Sequence, residues 1–126
     1  MTIPFYCVLA AFVLIYLSKL PAVFALKRLP GGYDNHHGRD QQAKLSGWGR
    51  RAIAAHQNGF ESFPAFAAAV LIAHVKGANP DHAAALALTY VASRLAYVAC
   101  YLADRATLRS AVWFVGMLAI GALFLI

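Results

Sequence analysis

Charge is scarce in this chain. Only 13% of the 126 residues are charged and only five are acidic, while 61% are hydrophobic. That balance excludes a soluble domain of this size, in which about a quarter of the residues carry charge. Cysteine is scarcer still. Cys7 and Cys100 fall in different apolar stretches, too far apart to bridge, and neither has the neighbours that a metal site needs. No Ser-His-Asp or Cys-His arrangement is evident. His56 and Glu61 are five residues apart rather than three or four, and no Glu-x-x-His pair occurs, which argues against a metal pair on one helical face. The adjacent His36 and His37 lack a spaced partner and read as part of a solvated loop. The amino-terminal stretch lacks the basic segment of a signal peptide and exceeds the usual apolar length of one, so it reads as a retained helix.

What remains is apolar sequence in long runs. Four stretches, about 3–26, 51–75, 81–103 and 109–126, each approach the roughly 20 apolar residues that a membrane-crossing helix requires. The chain therefore predicts an all-α protein: one domain over residues 1–126, an integral membrane four-helix bundle of four transmembrane helices. The one long polar connection, 30–49, is rich in Gly, Asp, Asn, His and Gln and lies in water, with Trp48 suited to the interface. The net charge of +6 reflects orientation rather than nucleic-acid binding. Lys27, Arg28, Arg39, Lys44, Arg50 and Arg51 gather in the first connection, Arg105 and Arg109 in the third, and only Lys76 in the second. By the positive-inside rule, loops 27–50 and 104–109 face the cytoplasm and both termini the opposite side.

Local signals sharpen the boundaries. Pro21 predicts a kink in the first helix. Lys19, about 12 Å from the basic end of that helix, either snorkels or points inward. Pro64 predicts backbone irregularity near Glu61. Gly77 ends the second helix, and Asn79-Pro80-Asp81 supplies a cap, an N1 proline and a first-turn acid for the third. The turn between them is short, so the two form an antiparallel hairpin.

Two sets of polar residues sit where apolar ones belong. Asn58 and Glu61 lie one turn apart on the second helix. An ionised carboxylate in hydrocarbon costs at least roughly 2.5–3.5 kcal/mol, so Glu61 requires a partner or a polar cavity. On the third helix Tyr90, Arg94, Tyr97, Tyr101 and Arg105 recur every three or four residues. Counted from the basic end, Glu61 and Arg94 both lie roughly 15 Å deep, which allows a Glu61–Arg94 contact, and Asn58 matches Tyr97. If Lys19 joins Glu61 and Arg94, one positive charge is left over, which favours an anionic ligand.

These residues carry a resemblance. RAIAAHQNGFESFP, Arg94-Leu-Ala-Tyr97-Val-Ala-Cys-Tyr101 and Leu108-Arg109-Ser110 resemble the membrane-associated proteins in eicosanoid and glutathione metabolism, the MAPEG family, over essentially the whole chain. The resemblance implies a homotrimer whose subunits bind glutathione as cosubstrate in a cleft between neighbours, open toward the cytoplasm. By the same resemblance Asn58, Glu61, Arg94 and Tyr97 bind glutathione, and Arg109, with Tyr101 or Ser110, faces its sulfur. One position departs from the pattern. Eicosanoid-forming members have an arginine four residues before the Asn, where this chain has Ala54; Arg51, a turn away, is the candidate to replace it.

Two functions follow. The first is a glutathione-dependent transferase or peroxidase, in the manner of a microsomal glutathione transferase, acting on hydrophobic small molecules from the bilayer. A cation aimed at sulfur would lower the thiol pKa and raise the nucleophilic thiolate fraction. The alternative is a non-catalytic membrane protein of the same fold, with Glu61 and Arg94 as structural pairing or a lipid or anion site. A transporter is disfavoured by the absence of an inverted repeat.

Overall fold

The computed structural model describes residues 1–126. It is helical throughout, with no strand: α1 (Ile3–Leu17), α2 (Leu20–Lys27), α3 (Gly38–Lys44), α4 (Gly47–Val75), α5 (Pro80–Leu102) and α6 (Ala106–Leu125). Three units are long and apolar enough to cross a membrane: Ile3–Lys27, which joins α1 and α2, then α5 and α6. The fourth expected span, 51–75, falls within α4, which is not among them. The 29-residue α4 has the length, about 43 Å, but Asn58, Glu61 and its histidines dilute its hydropathy.

The first helix is broken rather than bent. Pro21 has no N–H to offer the Leu17 carbonyl and its ring crowds that oxygen, so the chain leaves the helix at Ser18–Lys19. Lys19 N–H turns to the Tyr16 carbonyl at 3.1 Å. The Ile15 carbonyl, thereby deprived of its usual partner, accepts from Ser18 Oγ at 2.7 Å and His56 Nδ1 at 2.6 Å. His56 is thus tied to α1 rather than to Glu61. In contrast, α4 runs unbroken through Pro64. The expected irregularity near Glu61 reduces to the loss of one N–H donor for the Phe60 carbonyl.

The connections close as their residues dictate. At the end of α4, Gly77 takes a positive φ of 72°, and Ala78 N–H returns to the Ala73 carbonyl at 2.9 Å, a Schellman close. Asn79 Oδ1 then accepts from the backbone of Asp81 and His82 to cap α5. The end of α5 repeats the same closure with Asp104 at φ 58° and Arg105 N–H on the Cys100 carbonyl at 2.8 Å. The loop between α2 and α4 contains a short helix, α3, that the polar composition concealed.

Helix α4 packs against α1, α2, α5 and α6, and α5 runs along α6. Cys7, Ala11, Phe66, Tyr90, Ile120 and Leu123 belong to the larger core, where the rings of Phe66 and Tyr90 stack 3.9 Å apart and Tyr90 Oη meets Ser62 Oγ at 2.9 Å. A smaller core of Ala22, Leu26, Leu45, Ala52 and Ile53 holds α2 against the start of α4. Large apolar side chains such as Leu9, Val13, Phe24, Leu95 and Leu118 face outward, as lipid contact demands.

Candidate functional site

The polar residues of α4 and α5 meet, but not in the expected pairing. Arg94 is almost wholly buried, 4% exposed, and its Nη1 donates to Asn58 Oδ1 at 3.0 Å. Asn58 Nδ2 in turn donates to Glu61 Oε2 at 2.8 Å. The chain's one ion pair joins His37 to Asp34 in the loop, so Glu61 and Arg94 have no direct bridge: the expected Glu61–Arg94 contact is relayed through Asn58. The register explains this. Both polar atoms of the Asn amide are used, one toward each charge, while the carboxylate projects outward to the exposed face of α4.

From Arg94 the cluster continues toward the α5–α6 turn. The guanidinium lies over the Tyr97 ring, 4.2 Å from its centroid; Tyr97 meets the edge of Tyr101 at 5.5 Å; and the Arg109 guanidinium lies over Tyr101, again at 4.2 Å. Cation–π contacts of this kind hold a guanidinium in place while leaving its N–H groups free to bind. Asn58, Tyr97, Arg109 and Ser110 line one open cleft of about 480 Å³ with Trp113 and Phe114. Two guanidinium groups and one carboxylate leave one positive charge beside this cleft, and the amino-terminal end of α6 adds its partial positive charge. The arrangement suits an anion with an apolar portion.

Four of the expected residues sit differently from the sequence picture. Lys19 does not line the cleft at Asn58 and Arg109 but lines clefts with Arg39 and Gln42 of the loop, so the leftover positive charge comes from Arg109 instead. Arg51 Nη2 donates to the Leu102 carbonyl at 3.2 Å and its Nε is buried without a partner; it closes the end of α5 rather than joining Asn58. Arg105 stands at the N-cap position of α6, makes no side-chain capping bond and is exposed. Ser110 is exposed, with its hydroxyl on the Ala106 carbonyl at 3.2 Å.

Two cleft residues escaped the sequence reading: Trp113 and Phe114. Each lies four residues beyond a candidate, Arg109 and Ser110 respectively, and that spacing would have placed them on the same face of α6.

No curated protein matches the chain. The MAPEG family model, however, matches residues 3–126, essentially all of it, and with that match the chain is shown to belong to the MAPEG family.

Proposed function

We propose that this MAPEG-family membrane protein is a glutathione-dependent transferase or peroxidase acting on hydrophobic electrophiles. The observation that carries this reading is the unbroken polar file from Glu61 through Asn58, Arg94, Tyr97 and Tyr101 to Arg109, opening on a cleft walled by Trp113 and Phe114. Glutathione offers two carboxylates, an ammonium and a thiol, and the residues fit those groups. The exposed Glu61 carboxylate keeps acceptor capacity for an ammonium, and Arg109 presents its guanidinium to an anion. When bound, glutathione would supply the sulfur nucleophile.

The residues divide the work. Asn58 holds Glu61 and Arg94 at fixed distances, so the binding charges are set before the ligand arrives. Tyr101 holds Arg109 over its ring at the edge of the cleft. There the cation keeps its charge at little membrane cost and lowers the energy of a negative sulfur, the more so where water is excluded. Tyr101 offers a hydroxyl to the same region, and Ser110 would do so by releasing its bond to the Ala106 carbonyl. Trp113 and Phe114 present an apolar wall to the electrophile.

In this reading α4 crosses the bilayer with the other three units as a four-helix bundle, and the protein is a homotrimer. Glu61 supports this, because a carboxylate on the outer face of a helix at membrane depth requires another subunit or a ligand to cover it. Loops 27–50 and 104–109 face the cytoplasm, with both termini opposite, as the basic residues indicate.

Ala54 and the engagement of Arg51 with Leu102 favour a second reading, a non-catalytic member in which the file is helix glue. Purified protein in lipid, given glutathione and a hydrophobic electrophile such as a nitrohaloarene, separates them. Conjugation above the uncatalysed rate supports the enzyme. Absence of conjugation together with absence of glutathione binding supports the alternative.

A further inference from the structure

A second cavity, of about 440 Å³, opens at the other end of the bundle, where α1 begins, α4 ends and α5 begins. It shares no lining residue with the cleft at Asn58 and Arg109, and its volume falls within the roughly 300–1,000 Å³ that small-molecule sites occupy. Its floor is the larger core: Val70 and Ala73 near the end of α4 and Ala83 at the start of α5 are all buried. Small residues keep the space open, since Ala73, Gly77, Ala78, Ala83 and Ala84 line it where longer side chains would fill it. One wall is Phe5, whose ring meets that of His74 edge-on with 5.0 Å between centroids.

Asp81 lines this space, and no lysine or arginine does. Its carboxylate has no ion-pair partner, since the chain's one salt bridge joins Asp34 and His37. Only the backbone N–H of Asp81 is engaged, by Asn79 Oδ1 at 3.0 Å. Lys76, the nearest lysine in sequence, turns instead to the end of α6, where its Nζ donates to the Phe124 and Leu125 carbonyls, each at 3.3 Å. The start of α5 holds no free donor for an anion: Pro80 has no N–H, Asn79 Oδ1 takes those of Asp81 and His82, and the Asn79 carbonyl takes that of Ala83. The start of α1 opposes Asp81 with a partial positive charge only, about half of its formal charge. Thr2 adds a hydroxyl that makes no capping bond. A cation would therefore meet its complement at the mouth of the cavity and apolar surface beneath.

We propose that this cavity binds an amphiphilic amine that partitions into the bilayer, with its ammonium at Asp81 and Thr2 and its apolar body against Phe5, Val70 and Ala83. Asp81 is exposed, so carboxylate and ammonium meet at the water boundary, where both keep their charge, while the apolar body leaves water for the core. A fatty acid of the same length would bring its carboxylate against Asp81, and a phospholipid would bring a phosphate for which the cavity has no cation. The chain as a whole carries a net charge of +6, so a preference for a cation over its neutral analogue runs against the general field and reports a local site. Glutathione chemistry plays no part in this binding.

Equilibrium binding of radiolabelled decylamine, decanol and decanoate to the full chain in nanodiscs of zwitterionic lipid, with binding to empty nanodiscs subtracted, tests it. Decylamine should bind about fivefold more tightly than decanol, the upper range for an exposed ion pair, and decanoate should bind most weakly. Asp81→Asn should bring decylamine to the level of decanol and leave decanol unchanged within about twofold. Asp104→Asn, at an exposed acid in the turn beyond the other end of α5, should keep the preference intact. Ala84→Phe, which fills the cavity from a partly buried position, should abolish saturable binding of amine and alcohol alike. Equal binding of the two by the unmutated protein, a preference that survives Asp81→Asn, or equal loss in Asp81→Asn and Asp104→Asn would overturn the proposal, as would undiminished binding in Ala84→Phe. Should Ala84→Phe fail to fold, a decylamine with a diazirine in its chain decides the matter on the unmutated protein. Labelling of peptides containing Phe5, Val70 or Ala83 supports the site, and labelling confined to α6 or to the loop between α2 and α4 refutes it.

Discussion

Arg94 reaches out of the core to a neutral partner: its Nη1 donates to Asn58 Oδ1 at 3.0 Å, while the carboxylate at the same depth, Glu61, is held by the other end of that amide at 2.8 Å. An Asn between a buried cation and an exposed anion keeps both charges separated by a fixed distance and leaves the anion free on its outer side. A direct ion pair would have spent both charges on each other.

The relay makes Asn58 the pivot. Asn58→Leu removes the side-chain hydrogen bond of a buried guanidinium and should destabilise the protein by about 1.5–3 kcal/mol. In double-mutant cycles of detergent unfolding, Asn58 and Arg94 should couple by about 1–2 kcal/mol, and Glu61 and Arg94, which do not touch, by less. Stronger coupling between Glu61 and Arg94 than between Asn58 and Arg94 would contradict the relay.

Asp104 occupies a glycine position. Its φ of 58° costs a side-chain-bearing residue about 1 kcal/mol, and no side-chain hydrogen bond of Asp104 offsets it. Asp104→Gly should therefore leave stability unchanged or raise it by up to about 1 kcal/mol. A clear loss in thermal unfolding would show that the carboxylate has a role in the α5–α6 turn.

The loop before α3 is pH-sensitive on the acidic side. The hydrogen bond from the His37 ring, with the His36 amide behind it, holds the Asp34 carboxyl below its ordinary value of 3.8. A depressed carboxylate stabilises the folded loop fully above that ordinary value, and the contribution is lost as pH falls through the lower folded value. An NMR titration of the Asp34 carboxyl should give an apparent pKa under 3.8 that returns toward it in His37→Ala. No change on substitution would remove His37 as the cause.

Orientation has its own reporter. His36 is exposed, whereas a Cβ added at Gly38 would meet the Tyr33 hydroxyl at 2.9 Å, so His36→Cys is the better label site. An impermeant thiol reagent should modify it only from the cytoplasmic face, with Cys7 and Cys100 buried and silent. Modification from the opposite face alone would invert the topology.

Much of this was legible in the sequence wherever the cause was local. Gly77 and the Asn79-Pro80 pair mark their turn through backbone preferences that act within a few residues, and Arg94 and Tyr97 announce a buried stripe by period alone. The partner of Arg94 was not legible. Depth counting places Glu61 opposite Arg94, but one helical turn is about 5.4 Å, within the reach of an arginine side chain, so the count cannot choose between Asn58 and Glu61. The same limit hid the tie from His56 to Ile15, 41 residues apart in sequence, and the capture of Arg51 by Leu102. Both depend on carbonyls left open by a break or a helix end in another segment. Trp113 and Phe114 vanished into the general apolarity of α6, because lipid-facing and cleft-facing aromatics have the same composition.

The claim that binding and activation are divided between the two ends of the polar file is tested most directly by the ultraviolet absorbance of glutathione thiolate on the purified protein near neutral pH. The unmutated protein should show a glutathione-dependent signal. Arg109→Ala should lose most of it while retaining glutathione affinity, and Glu61→Gln should weaken affinity itself. A signal undiminished in Arg109→Ala, or none in the unmutated protein at saturating glutathione, would contradict the account.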